Sequence, residues 1–165
     1  MINRTADEDD LKGIYEEYLT YMSRYYVINH HDSWLAAALK NLKRHSAGDD
    51  RCIYAMKEAK TIIGFAFVNR HLRFNQNGFA VTEFYIGKDH ERQGRGRTLA
   101  EHVFEQFPGN WEVAVTATNQ AARLFWTRVI SDYTRGEYVE KIAESFSGTG
   151  FLFNNGSLHK KHPGH

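Results

Sequence analysis

The residues whose types and spacing could do chemistry lie together in residues 86–99, Ile-Gly-Lys-Asp-His-Glu-Arg-Gln-Gly-Arg-Gly-Arg-Thr-Leu. An apolar segment ends here, a polar loop follows, and Gly94 and Gly96 open a segment with helical spacing. Glycines let a backbone approach a ligand closely, and the first N–H groups of a helix favour an anion. Positive charge is added to the same turn by three arginines: Arg92, Arg95 and Arg97. The pattern predicts a phosphate-binding loop, with a tight turn and a solvated basic face as the alternative.

Two common nucleotide-binding motifs do not fit this loop. The dinucleotide-binding fingerprint has a third glycine at the position that Leu99 occupies in this chain. The phosphate loop of nucleoside triphosphatases needs Gly-Lys followed by Ser or Thr, which this stretch does not contain. Both motifs also usually open a strand–helix–strand unit, whereas a meander of strands is predicted before this loop.

The elements that must position the loop follow from hydrophobic spacing. Two helices are predicted first, at residues 6–24 and 33–44, and Thr5 and Glu8 fit a capping box for the first. The later elements are strands at residues 51–57, 61–70 and 79–86, a helix marked by 99–107, a strand at 111–117, a helix marked by 122–129, and strands at 133–142 and 149–154. Strand, helix and strand across residues 79–117 imply a right-handed crossover between parallel strands. The predicted fold class is α/β (α+β): a mixed, mostly antiparallel sheet of about six to seven strands with helices on both faces.

The loop resembles the acetyl-coenzyme A motif of the GNAT N-acetyltransferases, commonly written Gln/Arg-x-x-Gly-x-Gly/Ala. Gly94 and Gly96 match its two small positions. Glu91 stands at the first position, where the family usually has Gln or Arg. Because the family holds the pyrophosphate mostly with backbone N–H groups, this departure leaves the resemblance in place.

Further segments extend the resemblance over nearly the whole chain. Phe84-Tyr85-Ile86 is similar to the strand end that precedes the motif in the family. A later family helix is matched by Asn119-x-x-Ala122-x-x-Phe125-Trp126. Residues 107–113, Phe-Pro-Gly-Asn-Trp-Glu-Val, resemble more narrowly a bacterial group of predicted acetyltransferases.

The resemblance implies an N-acetyltransferase that moves an acetyl group from acetyl-coenzyme A, its co-substrate, directly to a primary amine in a ternary complex. In the family, the strands matched by residues 79–86 and 111–117 splay apart, and the pantetheine arm lies in the gap. The residues then expected to bind acetyl-coenzyme A are Phe84, Tyr85, Ile86, Glu91, Arg92, Gln93, Gly94, Arg95, Gly96, Arg97, Thr98, Asn119, Phe125 and Trp126. For Asn119, capping of its helix is an equal alternative.

The resemblance also suggests catalytic residues. Glu83 is the candidate general base that removes a proton from the amine. Alternation puts Glu83 on the face of Tyr85, so a structural ion pair on the other side of the strand is an equal alternative. The family's usual acid for the leaving thiolate is a Tyr, and here that position is Trp126. Tyr133 is the nearby candidate for this role, with core packing as its alternative.

The acceptor amine is expected to contact an aromatic segment between the first two predicted helices. The candidate substrate-binding residues are Tyr25, Tyr26, His30 and His31, and an ordinary aromatic loop is the alternative. No metal is expected, because Cys52 is the single cysteine and the adjacent histidines diverge.

Composition bounds the remaining expectations. With 21 Lys and Arg against 20 Asp and Glu, the net charge of +1 argues against a nucleic-acid binder or a polybasic membrane protein. We therefore expect a cytoplasmic domain at residues 1–157 with a basic flexible tail at 158–165, with no nucleic-acid or membrane partner. Its substrate would be a small-molecule or peptide amine, and a homodimer remains open. The alternative function is a non-catalytic acyl-coenzyme A binding module or sensor.

Overall fold

A computed structural model describes residues 1–5, 7–25, 31–48, 50–143 and 146–159 of the chain. The described residues form seven strands: β1 (Ile2–Thr5), β2 (Arg51–Glu58), β3 (Thr61–Asn69), β4 (Phe79–Ile86), β5 (Asn110–Thr116), β6 (Val139–Ala143) and β7 (Phe146–Asn154). They also form five α-helices: α1 (Glu8–Met22), α2 (His31–Ala47), α3 (Arg95–Glu105), α4 (Gln120–Thr134) and α5 (Gly156–His159).

The strands form one sheet in the order β1-β2-β3-β4-β5-β7-β6. β4 and β5 run parallel, as the strand–helix–strand crossover predicts. The pairs β1–β2, β5–β7 and β6–β7 are antiparallel. This arrangement confirms the predicted mixed, mostly antiparallel α/β (α+β) fold.

The chain forms two compact units. The first contains the described residues of Met1–Val68 and Glu83–Leu99. The second contains those of Asn69–Thr82 and Ala100–His165.

Aromatic side chains form much of the core of the first unit. Tyr15 and Tyr18 occupy the buried face of α1 at helical spacing. The Tyr15 ring stacks on Phe67 with 5.5 Å between centroids, and the Tyr18 ring meets Phe65 edge-on at 5.3 Å. This packing fixes α1 against the sheet and therefore fixes the side chains that α1 presents to β4.

The predicted capping box at the start of α1 is wrong. Thr5 is the last residue of β1, a strand that was not predicted. Asp7 is the N-cap instead, and its carboxylate accepts the N–H of Asp10 at 3.1 Å. Asp, like Thr, is a favoured N-cap, and the chain offers both within three residues of each other.

Other element boundaries also differ from the prediction, most of all the start of β6. The strand predicted from residue 133 begins at Val139, because Tyr133 still belongs to α4. α4 ends at Thr134; its C-cap Arg135 adopts φ 57°, and Gly136 follows with φ 84°. This left-handed pair stops the helix.

The core of the second unit is built around Phe104 and Trp111, whose ring centroids are 5.1 Å apart. Asn155 is fully buried beside them: its amide donates to the Phe104 carbonyl at 2.7 Å and its carbonyl oxygen accepts the N–H of Gly109 at 2.8 Å. The C-terminal end of α3 is thereby held to the start of α5. Residues 160–165, most of the predicted tail, lie outside the described residues.

Candidate active site

The pairing of β4 with β5 is short. Residues 79–81 pair with residues 111–113, and this pairing ends at Val81. In contrast, β5 pairs with β7 at all seven of its residues. β4 therefore continues beyond Val81 without pairing to β5. An extended ligand can hydrogen-bond to a strand edge of this kind.

The loop after β4 turns sharply into α3. The N–H of Gly87 donates to the Ile63 carbonyl at 2.8 Å, and a short 3-10 helix follows at Lys88–His90. Arg92 and Gly94 both adopt left-handed conformations, with φ 58° and 76°. Glycine takes this conformation at little cost, so the sequence suits the turn at Gly94.

The N-terminus of α3 presents backbone donors. The first intrahelical hydrogen bond joins the N–H of Thr98 to the Gly94 carbonyl at 3.0 Å. The N–H groups of Arg95 and Gly96 come before this bond, at positions that have no intrahelical acceptor. This is the backbone geometry that favours a phosphate.

The Arg95 side chain has an acidic partner within the same unit. Its guanidinium forms an ion pair with the Glu58 carboxylate at the end of β2, and His90 lies 3.5 Å from that carboxylate. Arg95 was predicted to bind the co-substrate. The structure shows this pair with Glu58, and the role of Arg95 toward a phosphate remains a prediction.

Glu17 of α1 holds the junction between β4 and the loop. Its Oε1 atom accepts the Tyr85 hydroxyl at 2.9 Å and the N–H of Lys88 at 3.1 Å. Glu17 was not predicted as a site residue, because no pattern in the sequence distinguishes it from the neighbouring exposed Glu16.

Glu83 projects from the same face of β4 as Tyr85, which the strand alternation predicts, and its carboxylate faces α1 and α2. Oε1 accepts a hydrogen bond from the Asn41 amide of α2. Oε2 is buried and has no hydrogen-bond partner among the described residues. No Lys, Arg or His in the described part of the chain forms an ion pair with Glu83, so the alternative of a structural ion pair is not supported.

The surroundings of Glu83 favour its protonated form. Burial raises the pKa of Glu83 from its ordinary 4.5 to about 7, while the Tyr15 hydroxyl and the Asn41 amide oppose this shift. A carboxylate with a pKa near neutrality is suited to accept and release a proton. Asn41 and Tyr15 were not predicted as site residues; a polar Asn within the apolar spacing of α2 was the one available signal.

Tyr25 is the only predicted substrate-binding residue whose side chain the structure describes. Its hydroxyl donates to the Tyr21 hydroxyl at 3.1 Å, and the two rings are 5.4 Å apart. The Tyr21 ring also lies 5.6 Å from Tyr85, so Tyr25 joins an aromatic cluster that reaches β4. Tyr26 and His30 lie outside the described residues, as does the side chain of His31.

The remaining predicted residues belong to the second unit. Asn119 caps α4, accepting the N–H of Ala122 at 3.0 Å, which is the alternative offered for it. Trp126 is 4% exposed and packs against Phe125, with 4.9 Å between ring centroids. The Tyr133 hydroxyl accepts a hydrogen bond from the Asn155 amide at 3.4 Å, and burial raises its pKa. The roles of these residues toward the co-substrate remain predictions.

Neither a metal cluster nor a membrane-spanning helix is found in the described residues. Within the described ranges, no three His, Cys, Asp or Glu side chains are grouped as metal ligands would be. None of the helices in the described part of the chain combines the length and the apolar character that a bilayer crossing requires.

Comparison with known proteins identifies the family. The family model described as "Acetyltransferase (GNAT) family" matches residues 11–130. The chain belongs to this family. The match includes most of α1, all of α2, the loop after β4 and most of α4. A search of curated protein sequences found no match.

Solved structures of low identity share this GNAT fold. An acetyltransferase from Thermus thermophilus has a TM-score of 0.68 at 13% identity, covering 93% of this chain and 97% of the other. The PaiA N-acetyltransferase of Thermoplasma acidophilum, solved with coenzyme A, has a TM-score of 0.64 at 16% identity. The alignment covers 93% of this chain and 99% of the other. An aminoglycoside acetyltransferase from an uncultured soil metagenomic sample, solved with sisomicin, has a TM-score of 0.55 at 14% identity. The alignment covers 78% of this chain and 86% of the other.

Proposed function

We propose that this GNAT protein transfers the acetyl group of acetyl-coenzyme A to a primary amine by direct attack in a ternary complex. The observation that carries the proposal is the Glu83 carboxylate, whose Oε2 is buried and unpartnered among the described residues. Such a group has a desolvation cost, and burial has raised its pKa to about 7. A base in this range is useful for proton removal, and the family supplies the reaction that needs it.

The donors at the start of α3 fit the pyrophosphate of the co-substrate. The N–H groups of Arg95 and Gly96 precede the first intrahelical bond and follow the left-handed turn at Gly94. The pantetheine arm would lie along β4 near residues 84–86, beyond the paired region that ends at Val81. Acetyl-coenzyme A supplies the activated acyl group; the chain supplies position and proton transfer.

The proposed reaction begins with proton removal by Glu83. A primary amine with a pKa near 10.4 arrives as an ammonium ion and must lose a proton before it can attack. Glu83 Oε2 takes this proton and later returns it to solvent. The amine nitrogen bonds to the thioester carbonyl carbon, and as the C–S bond breaks the nitrogen releases its second proton to water, which leaves a neutral amide. Backbone N–H groups near residues 84–86 stabilise the negative charge that develops on the carbonyl oxygen. The departing thiolate takes a proton from water, because the indole of Trp126 is not a practical acid.

The second candidate function is a non-catalytic acyl-coenzyme A sensor. It is favoured by Trp126, which replaces the family's usual Tyr, and by Glu91 at the first position of the loop motif. A sensor, however, has no need for a carboxylate of raised pKa, and the Glu83 environment favours the enzyme.

Thiol release and product mass together test the proposal. Acetyl-coenzyme A is mixed with the protein and separate amines: polyamines, aminoglycosides, amino acids, peptide N-termini and lysine side chains. The proposal predicts free coenzyme A together with an amine that is heavier by one acetyl group. Tight coenzyme A binding by calorimetry without turnover of any amine would support the sensor instead.

A further inference from the structure

We propose that Asn41 is a positioning residue for this reaction: it holds Glu83 Oε1 so that Oε2 is the oxygen that accepts the proton. The inference rests on the proposed function, because it assigns a role to the base named there. It adds a residue of α2, outside the resemblance to the family motif, to the acetyl-transfer machinery.

The two carboxylate oxygens of Glu83 have unequal environments. Oε1 receives the Asn41 amide, whereas Oε2 is buried without a hydrogen-bond partner among the described residues. A buried polar atom without a partner is costly, so native proteins rarely leave one unless a ligand or a function uses it. The ammonium N–H of an acceptor amine is the type of donor that Oε2 lacks.

Asn41 is itself firmly placed. Its backbone carbonyl lies 3.0 Å from Nδ1 of His45, one turn further along α2. The His45 ring is buried and lies 4.6 Å from Phe67 of β3. On the other side, the Tyr15 hydroxyl donates to the Ala38 carbonyl at 3.0 Å and ties α1 to α2 one turn before Asn41. The amide that reaches Glu83 therefore comes from a rigid segment.

The choice of Asn is chemically significant. An amide donates a hydrogen bond and does not titrate. It therefore stabilises the Glu83 carboxylate without a positive charge, which would strongly lower the basicity of Glu83. The titratable group that contacts Glu83 is Tyr15 from α1, whose hydroxyl lowers the pKa of Glu83 by hydrogen bonding. No Lys, Arg or His within the described part of the chain forms an ion pair with Glu83. Two uncharged donors, Tyr15 and Asn41, therefore orient the carboxylate, and Asn41 is the one that holds Oε1.

The test measures Glu83 directly in the full chain, with glutamate side chains labelled with 13C at the carboxyl. The Glu83 resonance is the one that disappears in Glu83→Gln. We expect Asn41→Leu, which keeps the size but removes the donor, to raise the Glu83 titration midpoint by about one pH unit. Asn41→Asp adds a like charge and should raise it further. Ser46→Ala, a change elsewhere on α2, should leave the midpoint in place.

Turnover of acetyl-coenzyme A with the fastest amine of the panel provides the second readout. In Asn41→Leu, kcat at pH 7 should fall about fivefold, because the ionised fraction of Glu83 falls from about half to about a tenth. The rate should recover at pH 9, while KM for acetyl-coenzyme A stays close to the native value. A structural defect would lower the rate at both pH values.

The outcomes separate the two proposals. An unchanged Glu83 midpoint in the folded Asn41→Leu variant overturns the role of Asn41, even if Glu83→Gln abolishes turnover. If Glu83→Gln keeps the native rate, the base assignment fails and the role of Asn41 fails with it.

Discussion

Glu17 on α1 accepts a hydrogen bond from the Tyr85 hydroxyl on β4 at 2.9 Å. The same carboxylate oxygen accepts the N–H of Lys88, at the first residue after the strand and Gly87. One side chain therefore fixes both the end of β4 and the start of the loop that leads to α3. Since the proposed pyrophosphate donors follow this loop, Glu17 influences their position without touching them.

Removing the Glu17 carboxylate should weaken coenzyme A binding. We expect Glu17→Leu to cost about 1 kcal/mol of stability, because the bonds lie partly in solvent, and to weaken coenzyme A binding about fivefold. Glu17→Gln retains an acceptor oxygen and should lose less. Calorimetry with coenzyme A measures the affinity, and Glu16→Leu is the matched control. Equal affinities of Glu17→Leu and Glu16→Leu for coenzyme A would show that Glu17 does not position the loop.

The loop itself is tested by Gly96→Glu. A carboxylate in the first turn of α3 suits the helix dipole, so the fold should persist. The same charge would repel the phosphates, and we expect coenzyme A binding to be lost. Gly13→Glu is the matched control, since a side chain at Gly13 of α1 meets nothing within 4 Å. Unchanged calorimetric affinity in Gly96→Glu would overturn the phosphate-loop assignment.

Trp126 is expected to contribute packing. The side chain is 4% exposed, and its ring lies 6.2 Å from that of Phe104. Trp126→Ala should lower the free energy of unfolding by about 3–5 kcal/mol, as measured by denaturant titration. Trp126→Phe and Trp126→Tyr should keep most of the fold and have similar rates. A Tyr variant much faster than both the native protein and the Phe variant would show that this position is placed for proton donation.

The sequence predicts the elements with strong hydrophobic periods. β4 begins and ends at the predicted residues, and Asn119 stands at the start of α4 as expected. β1 was missed because it has four residues, Ile-Asn-Arg-Thr, with too few apolar positions to show a period. Tyr133 was placed in a strand because aromatic residues favour strands, but helical packing against Phe104 overrides this preference.

The site was predictable in part for a different reason. The turn that presents backbone N–H donors contains glycines at fixed positions. The loop at Gly94 could therefore be recognised from the sequence. The environment of Glu83 depends on which helices cover that face of β4, and alternation alone does not give this. Asn41 lies 42 residues away in the chain, and only the tertiary fold brings its amide to the carboxylate.

The raised pKa of Glu83 predicts a pH-dependent stability effect. Below its ordinary pKa of 4.5, Glu83 is protonated in both the folded and the unfolded chain. Between 4.5 and about 7 the folded state holds a proton that the unfolded state has released, so stability falls as pH rises. Glu83→Gln avoids this loss and should be more stable than the native protein at pH 9 by about 3 kcal/mol.

Thermal and denaturant unfolding across pH 4–9 measure this difference. The advantage of Glu83→Gln should grow through the window between the two pKa values and then level off. Glu16→Gln, at an exposed position of α1, is the control. A Glu83→Gln variant that is less stable than the native protein at pH 9 would contradict the claim that the ionised, buried Glu83 carboxylate destabilises the folded state.

The most direct test of the central claim is the rate of acetyl transfer by the native protein and by Glu83→Gln between pH 5 and pH 9. The native kcat/KM should rise with pH and level off above about 7, following ionisation of Glu83. Glu83→Gln should lack this rise and be slower by about 10²–10⁴-fold, with coenzyme A affinity unchanged. A variant that keeps the native rate and the native pH profile would contradict the assignment of Glu83 as the base.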